Sequence, residues 1–236
     1  MIATSEKMQK YFSEIDNKIE LCYDVANKAR SKGFDPSIFV EIPVARNMAE
    51  RVEGLISVVA PKIKGSGLSQ RIEKLEQEYG SQNWRIAFII ALEVATEKFC
   101  NFKDKLEAME VGLRVGLAYI TNGIVSSPLE GFLGLELKQR RDNKGEYFCL
   151  YFGGPIRSAG TTATCIFVAL SDYVRMKMGY FIYDPTEDEI NRTFAELEYF
   201  HERITNLQYF PSKKEADFMT NHLPVQIDGD PSEKIE

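Results

Sequence analysis

Apolar residues recur at Met8, Phe12, Ile15, Ile19, Cys22, Ala26 and Ala29, in alternating steps of four and three. That rhythm is a heptad seam and predicts one long helix. Thr4 and Ser5 are start signals, and Gly33 followed by Asp35-Pro36 is a stop. The seam is bulky in its first half and small in its second. So narrow a stripe suits a helix that packs along one partner and stays wet elsewhere. The partner is either another part of this chain or another subunit. On the second reading Phe12, Ile15 and Ile19 carry subunit assembly.

Beyond it, Phe39-Val-Glu-Ile-Pro43 reads as a short extended stretch and Asn47 to Ile56 as a helix capped by Asn47. Pro61 to Gly67 reads as a loop and a domain boundary. Helices are expected at about 68–79, 82–99 and 104–121. The second is apolar on most sides, so it belongs in the core, with Trp84, Phe88, Leu92, Ala95 and Phe99 as one stripe. Gly112 and Gly116, four apart in the third, allow close backbone packing. The period then changes to two. Phe132 to Gln139 and Glu146 to Phe152 alternate as strands, joined by Arg140 to Gly145 as a hairpin loop. A helix follows from about Ala159 to Met178, and the capping box Thr186-Glu-Asp-Glu189 opens another. Its stripe is Ile190, Phe194, Leu197, Phe200, Ile204 and Leu207. Pro211-Ser212 starts a short last helix, and Leu223 to Ile227 is a short strand. The fold class is mainly α (α+β): about eight helices, a small antiparallel sheet, an N-terminal helical arm over residues 1–60 and a body over 68–236.

The 236 residues are ordinary globular material, 44% apolar and 27% charged. The N-terminus lacks an apolar signal core, and the longest apolar run, Ile86 to Leu92, is too short to span a bilayer. These features predict a soluble cytoplasmic protein with no membrane partner. Cys22, Cys100, Cys149 and Cys165 are scattered, and with only two histidines they predict buried reduced thiols and no metal site. A net charge of −6 excludes a basic protein that coats nucleic acid. Any contact with phosphate must come from a local cluster, because attraction fades within about 8–10 Å at physiological salt.

Two clusters qualify. Tyr151-Phe-Gly-Gly-Pro-Ile-Arg-Ser-Ala-Gly-Thr-Thr162 leaves a strand and enters a helix. A helix N-terminus attracts anions through its unpaired N–H groups. Gly154 and Gly160 permit close approach, Arg157 offers a bidentate donor, and Ser158, Thr161 and Thr162 offer hydroxyls. The alternative is a tight turn with a helix cap, since neither a Walker loop nor G-x-G-x-x-G is present. The second cluster is Lys138, Arg140, Arg141 and Lys144 on the hairpin, opposed there by Asp142 and flanked by Glu136 and Glu146. It is either a phosphate contact or a solvated loop that protects a sheet edge. No catalytic set is visible: there is no Ser-His-Asp pairing, no H-E-x-x-H and no D-x-D.

The segment Gly153-Gly-Pro-Ile-Arg-Ser-Ala-Gly160 resembles the GPIRSAGGTA stretch of the large subunit of archaeal family-D DNA polymerase. Four further segments match that family in order: Val40-Glu-Ile-Pro43 with Met48-Ala-Glu-Arg-Val-Glu53, Val125-Ser-Ser-Pro-Leu-Glu-Gly131, Leu207-Gln-Tyr-Phe-Pro-Ser212 and His222-Leu-Pro-Val-Gln-Ile-Asp-Gly229. This sequence departs from the family at Thr161 (usually Gly), Asn47 (usually Asp) and Phe210 (usually His). The resemblance implies part of a heterodimeric or larger replicative polymerase. Its large subunit extends DNA with Mg²⁺, using aspartates in double-psi barrels downstream of the matched region. Its small subunit carries a proofreading exonuclease. None of those catalytic residues falls on this chain. What the resemblance leads us to expect is an assembly and DNA-contacting module, or alternatively an interaction module that never touches DNA. A small phosphate-ligand enzyme is the weaker rival.

Overall fold

The computed structural model describes residues 5–34, 44–124, 126–154, 160–204 and 206–229. The chain divides into two compact units, Met1–Val44 and Ala45–Glu236.

In the first unit, α1 spans Glu6–Ser31. Ser5 caps it by accepting a hydrogen bond from the Met8 N–H (3.4 Å), and Lys28 and Arg30 lie in its last turn. Gly33 turns left-handed (φ 74°) and closes the end, with the Phe34 N–H bonded to the Ala29 carbonyl at 3.0 Å. No residue of α1 is buried. Ile15, Ile19, Tyr23, Ala26 and Ala29 are half-buried, whereas Met8, Phe12 and Cys22 are exposed. The extended stretch expected at Phe39 to Pro43 lies outside the described residues.

The second unit begins with α2 (Met48–Ile56), a 3-10 turn (Pro61–Ile63) and α3 (Leu68–Tyr79), followed by α4 (Trp84–Ala95) and α5 (Lys105–Ile120). Ala49, Val52 and Ile56 of α2 join Ile63, Ile72, Ile86, Ile90 and Val115 in one core. Residues 61–67 are therefore tied down: the Glu53 carboxylate accepts from the Gly65 and Ser69 N–H groups, each at 2.8 Å.

A hairpin, β1 (Phe132–Gln139) and β2 (Glu146–Phe152), precedes α6 (Gly160–Lys177), α7 (Glu187–Tyr199), α8 (Lys213–Asn221) and β3 (Gln226–Asp228). β2 is the central strand. β1 pairs with it antiparallel, with Leu135 opposite Leu150, and β3 pairs with it parallel, with Leu150 opposite Ile227. The sheet is thus mixed, not antiparallel throughout, because the chain crosses over through α6, α7 and α8 and returns in the direction of β2. The helix whose stripe was expected to run through Leu207 ends as an α-helix at Tyr199, and a π-helical turn follows over Phe200–Ile204.

A second core lies between this sheet, α6 and the opposite sides of α4 and α5. It holds Leu113, Leu117, Phe132, Phe148, Leu150, Phe167 and Leu170. α4 and α5 form the wall between the two cores, which is why both are apolar on most sides. The buried apolar positions of α4 are Ile86, Ala87, Ile90, Ala91, Val94 and Ala95. Trp84, expected in its core stripe, is instead 52% exposed. The thiols also differ from expectation: Cys149 is buried, but Cys22 and Cys165 are exposed.

Glu93 is a buried carboxylate on α4. It receives two hydrogen bonds from the Arg71 guanidinium (2.9 and 2.8 Å) and one from Lys98 (3.2 Å). Burial pushes its pKa up, but the bonds from Arg71 and Lys98 outweigh burial and hold it below the usual carboxylate range. A lowered folded pKa stabilises the protein above the unfolded pKa and ceases to do so as pH falls through the folded value. Glu93→Gln is expected to cost about 1–2 kcal/mol at pH 7, between the exposed and buried limits for ion pairs. Denaturant titrations of the two proteins should begin to converge as pH falls below about 4.3 and should coincide only below the lowered folded pKa of Glu93.

A Cβ on Gly112 would sit 2.5 Å from the Ala91 carbonyl oxygen, and one on Gly116 would lie 3.1 Å from the Ala91 Cβ. The two backbones touch there. Gly112→Ala is therefore expected to lower stability by about 1–3 kcal/mol despite alanine's better helix propensity, measured by chemical denaturation.

Candidate functional site

The hairpin turn is built on Asn143 at φ 55° and Gly145, against whose backbone the Phe181 ring packs. Each of its four cations has an acidic partner nearby. Arg140 grips both oxygens of Asp142 at 3.1 Å and donates to the Ile182 carbonyl at 2.7 Å. Arg141 binds Asp184 at 2.8 and 3.2 Å through its guanidinium and at 3.1 Å through its backbone N–H, and it reaches the Pro185 carbonyl. Lys144 lies 3.3 Å from Asp142. Lys138 lies over the Tyr151 ring, 4.0 Å from Glu136. The hydrogen bonds from Arg140 and Arg141 hold the Asp142 and Asp184 carboxyls well below the usual range. Much of the hairpin's positive charge is therefore used to fasten it to residues 181–185. Side-chain exposure remains high at Arg141 (58%) and Lys144 (71%) but low at Arg140 (16%). Asp142 is the carboxylate that lies within the cluster in sequence, whereas Asp184 is over forty residues away and has as its only local signal a carboxylate just before Pro185.

At the other end of β2, the Gly153 N–H donates to the Gly131 carbonyl at 2.9 Å. A Cβ on Gly153 would lie 2.8 Å from the Glu130 carbonyl oxygen. The segments Ser126 to Gly131 and Phe152 to Gly154, distant in sequence, are thus neighbours. Gly154 is exposed, and a Cβ there would meet nothing within 4 Å. Arg157 and Ser158 lie outside the described residues. Gly160 and Thr161 open the helical backbone of α6, and Thr162 on its first turn is exposed. The hairpin cations and the N-terminal end of α6 are therefore linked through β2, whose seven residues span about 23 Å.

Arg114 holds this second end in place. It is a buried cation on α5, 6% exposed. Its guanidinium donates to the carbonyls of Pro128 (2.7 Å), Phe132 (2.6 Å) and Leu133 (2.9 Å), and to Glu110 Oε1 (2.7 and 3.1 Å). Glu110 Oε2 in turn accepts from the Leu135 N–H at 3.2 Å. A planar guanidinium with five donors can satisfy several converging carbonyls in a way that lysine cannot. The sequence signal was a lone arginine inside the apolar run Val111 to Ile120, four residues after a glutamate. Nothing local to that run marks its carbonyl partners, which lie 14–19 residues further on.

The profile of the family described as DNA polymerase II large subunit DP2, N-terminal, matches residues 10–236. The chain belongs to this family. It is 41% identical over 226 residues to the DNA polymerase II large subunit of Nanoarchaeum equitans, covering 96% of this chain and 18% of that protein. It is 39% identical to the large subunit of Methanothermobacter thermautotrophicus (97% of this chain, 20% of that protein) and 38% identical to that of Pyrococcus horikoshii (98% and 16%). It spans about one-fifth of the length of these relatives.

Two departures from the family pattern of this polymerase subunit have a structural use here. Asn47 caps α2 by accepting from the Glu50 N–H at 2.8 Å, as an aspartate would, and its amide also donates to Glu73 at 2.7 Å, as an aspartate could not. Phe210 stacks on His201 with ring centroids 4.7 Å apart.

Removing the Arg114 side-chain charge leaves buried carbonyls and the Glu110 carboxylate without their donor. Arg114→Met is expected to cost about 3–5 kcal/mol, while Arg114→Lys recovers part of it. Hydrogen exchange should show faster opening at Gly153, whose N–H bonds to the loop that Arg114 holds, than at Ala91.

Proposed function

We propose that this chain is the N-terminal assembly and DNA-contacting module of the large subunit of an archaeal replicative family-D DNA polymerase. What carries the reading is the family match across nearly the whole chain, joined to a strand that leads from an exposed cationic turn to the start of α6. Arg157, Ser158 and the first turn of α6 contact the DNA backbone, using Gly154 and Gly160 for close approach and the hydroxyls of Thr161 and Thr162. Arg141 and Lys144 add charge at the far end of β2, and Lys138 and Arg140 brace it. Such contacts position DNA without reading its sequence. Through Phe12, Ile15 and Ile19, α1 docks another polypeptide of the polymerase, either the small exonuclease subunit or the remainder of the large subunit. Mg²⁺ and the nucleotidyl-transfer chemistry belong to the complete cytoplasmic enzyme, and the chain alone has no polymerase activity.

A second reading, an interaction module without DNA contact, is favoured by the ion pairs of Arg140 and Arg141. One mutant separates the two. Arg157→Ala is expected to weaken duplex binding about equally for unrelated sequences and to flatten the plot of log affinity against log salt by roughly one unit. A lowered melting temperature with an unchanged salt slope would make Arg157 a brace for the turn and remove DNA contact from this surface.

A further inference from the structure

The core does not account for the protein's single tryptophan. Trp84 opens α4 and is 52% exposed. Its ring meets Phe88, one turn on, edge-to-face at 5.2 Å. Phe88 in turn meets Tyr173 of α6 at 5.5 Å. Phe88 and Tyr173 are half-buried and pack on the second core. The row carries a cation at each end: the Arg85 guanidinium carbon lies 5.2 Å from the Trp84 ring centre, and Lys177 Nζ lies 5.7 Å from that of Tyr173. Unlike the hairpin cations, neither forms an ion pair among the described residues, and both are exposed. The nearby carboxylate Asp172 is engaged elsewhere, by Arg175 at 2.7 Å.

We propose that Trp84, Phe88 and Tyr173, with Arg85 and Lys177, form a binding strip for single-stranded nucleic acid. The exposed Trp84 ring can stack on a base of any identity, the half-buried Phe88 and Tyr173 rings extend that apolar surface, and the flanking cations take the phosphates. The rings are too close together to admit a base between them, since an intercalated base needs about 7 Å, two stacking distances near the 3.4 Å rise of a DNA strand. Bases therefore stack on the open side of Trp84 and along the row. A duplex does not fit this chemistry, because its bases are already stacked on one another. The strip shares no residue with the surface around Arg157 and stands or falls apart from it.

Trp84 is its own reporter. Adding a fifteen-nucleotide oligothymidylate to the full chain at low salt is expected to quench tryptophan emission in parallel with the anisotropy of a labelled copy of the same oligonucleotide. Followed by anisotropy, Trp84→Ala should weaken binding at least about tenfold, and Trp84→Phe should keep most of it. Arg85→Ala with Lys177→Ala should reduce the salt slope by about 1.4 units, at roughly 0.7 per lost phosphate on a single strand. Circular dichroism of each variant separates lost binding from lost fold. The proposal is overturned if the oligonucleotide does not bind, if it binds with emission unchanged, or if duplex DNA or thymidine monophosphate quenches equally well. Arg157→Ala should leave the quenching intact, and if it abolishes quenching there is no separate strip.

Discussion

The rest of the second unit depends on how closely α4 and α5 approach each other. At Gly112 the two helices meet backbone to backbone, with no room for even one methyl group beside the Ala91 carbonyl. This contact makes a wall thin enough for one pair of helices to serve two cores. One side closes with α2 and α3, the other with α6 and the sheet. A wider separation would pull the walls of both cores apart together, because packed interiors tolerate little slack. The chain therefore spends its smallest residues at the centre of the fold and its polar clamps at the edges. Glu93 and Arg114 both sit on this wall, each joining it to a neighbouring segment by charge.

Those clamps shape the candidate site more than its own residues do. Arg114 fixes the loop before β1, and that loop meets Gly153. At the opposite end, Arg141 and Asp184 fix the hairpin to the segment before α7. β2 is thus anchored at both ends by guanidinium groups. Arginine suits both places for the same reason: its fork meets several oxygens at once and keeps its charge on burial.

How much of this was legible in the sequence follows from the range of the interaction involved. Local signals were read well: the period-two alternation of β1 and β2, the capping box at Thr186, the Gly112 and Gly116 spacing, and Asn47 as a cap. The parallel partner of β2 was not legible, because Gln226 to Asp228 carries no mark of strand direction. Trp84 was misassigned for a related reason. A helix apolar on most sides has no single face that periodicity can choose, and only tertiary packing shows which apolar residue is left outside. Asp184 and Arg114 depend on partners far along the chain. The family resemblance succeeded where periodicity could not, because five short matches in order carry information that no single one holds.

The placement of β3 bears on synthesis of the chain. β2, the middle of the sheet, is made well before its second neighbour, Gln226–Asp228. Until that stretch has left the ribosome, one edge of Glu146–Phe152 has unpaired amides and carbonyls beside the apolar side chains of Phe148 and Leu150. Such an edge can template pairing with another chain. The hairpin, α5 and α6 can assemble around local contacts in the meantime, but the sheet stays open on that side until residues 226–228 emerge. A nascent chain paused between residues 152 and 226 is the form of this protein most exposed to mispairing.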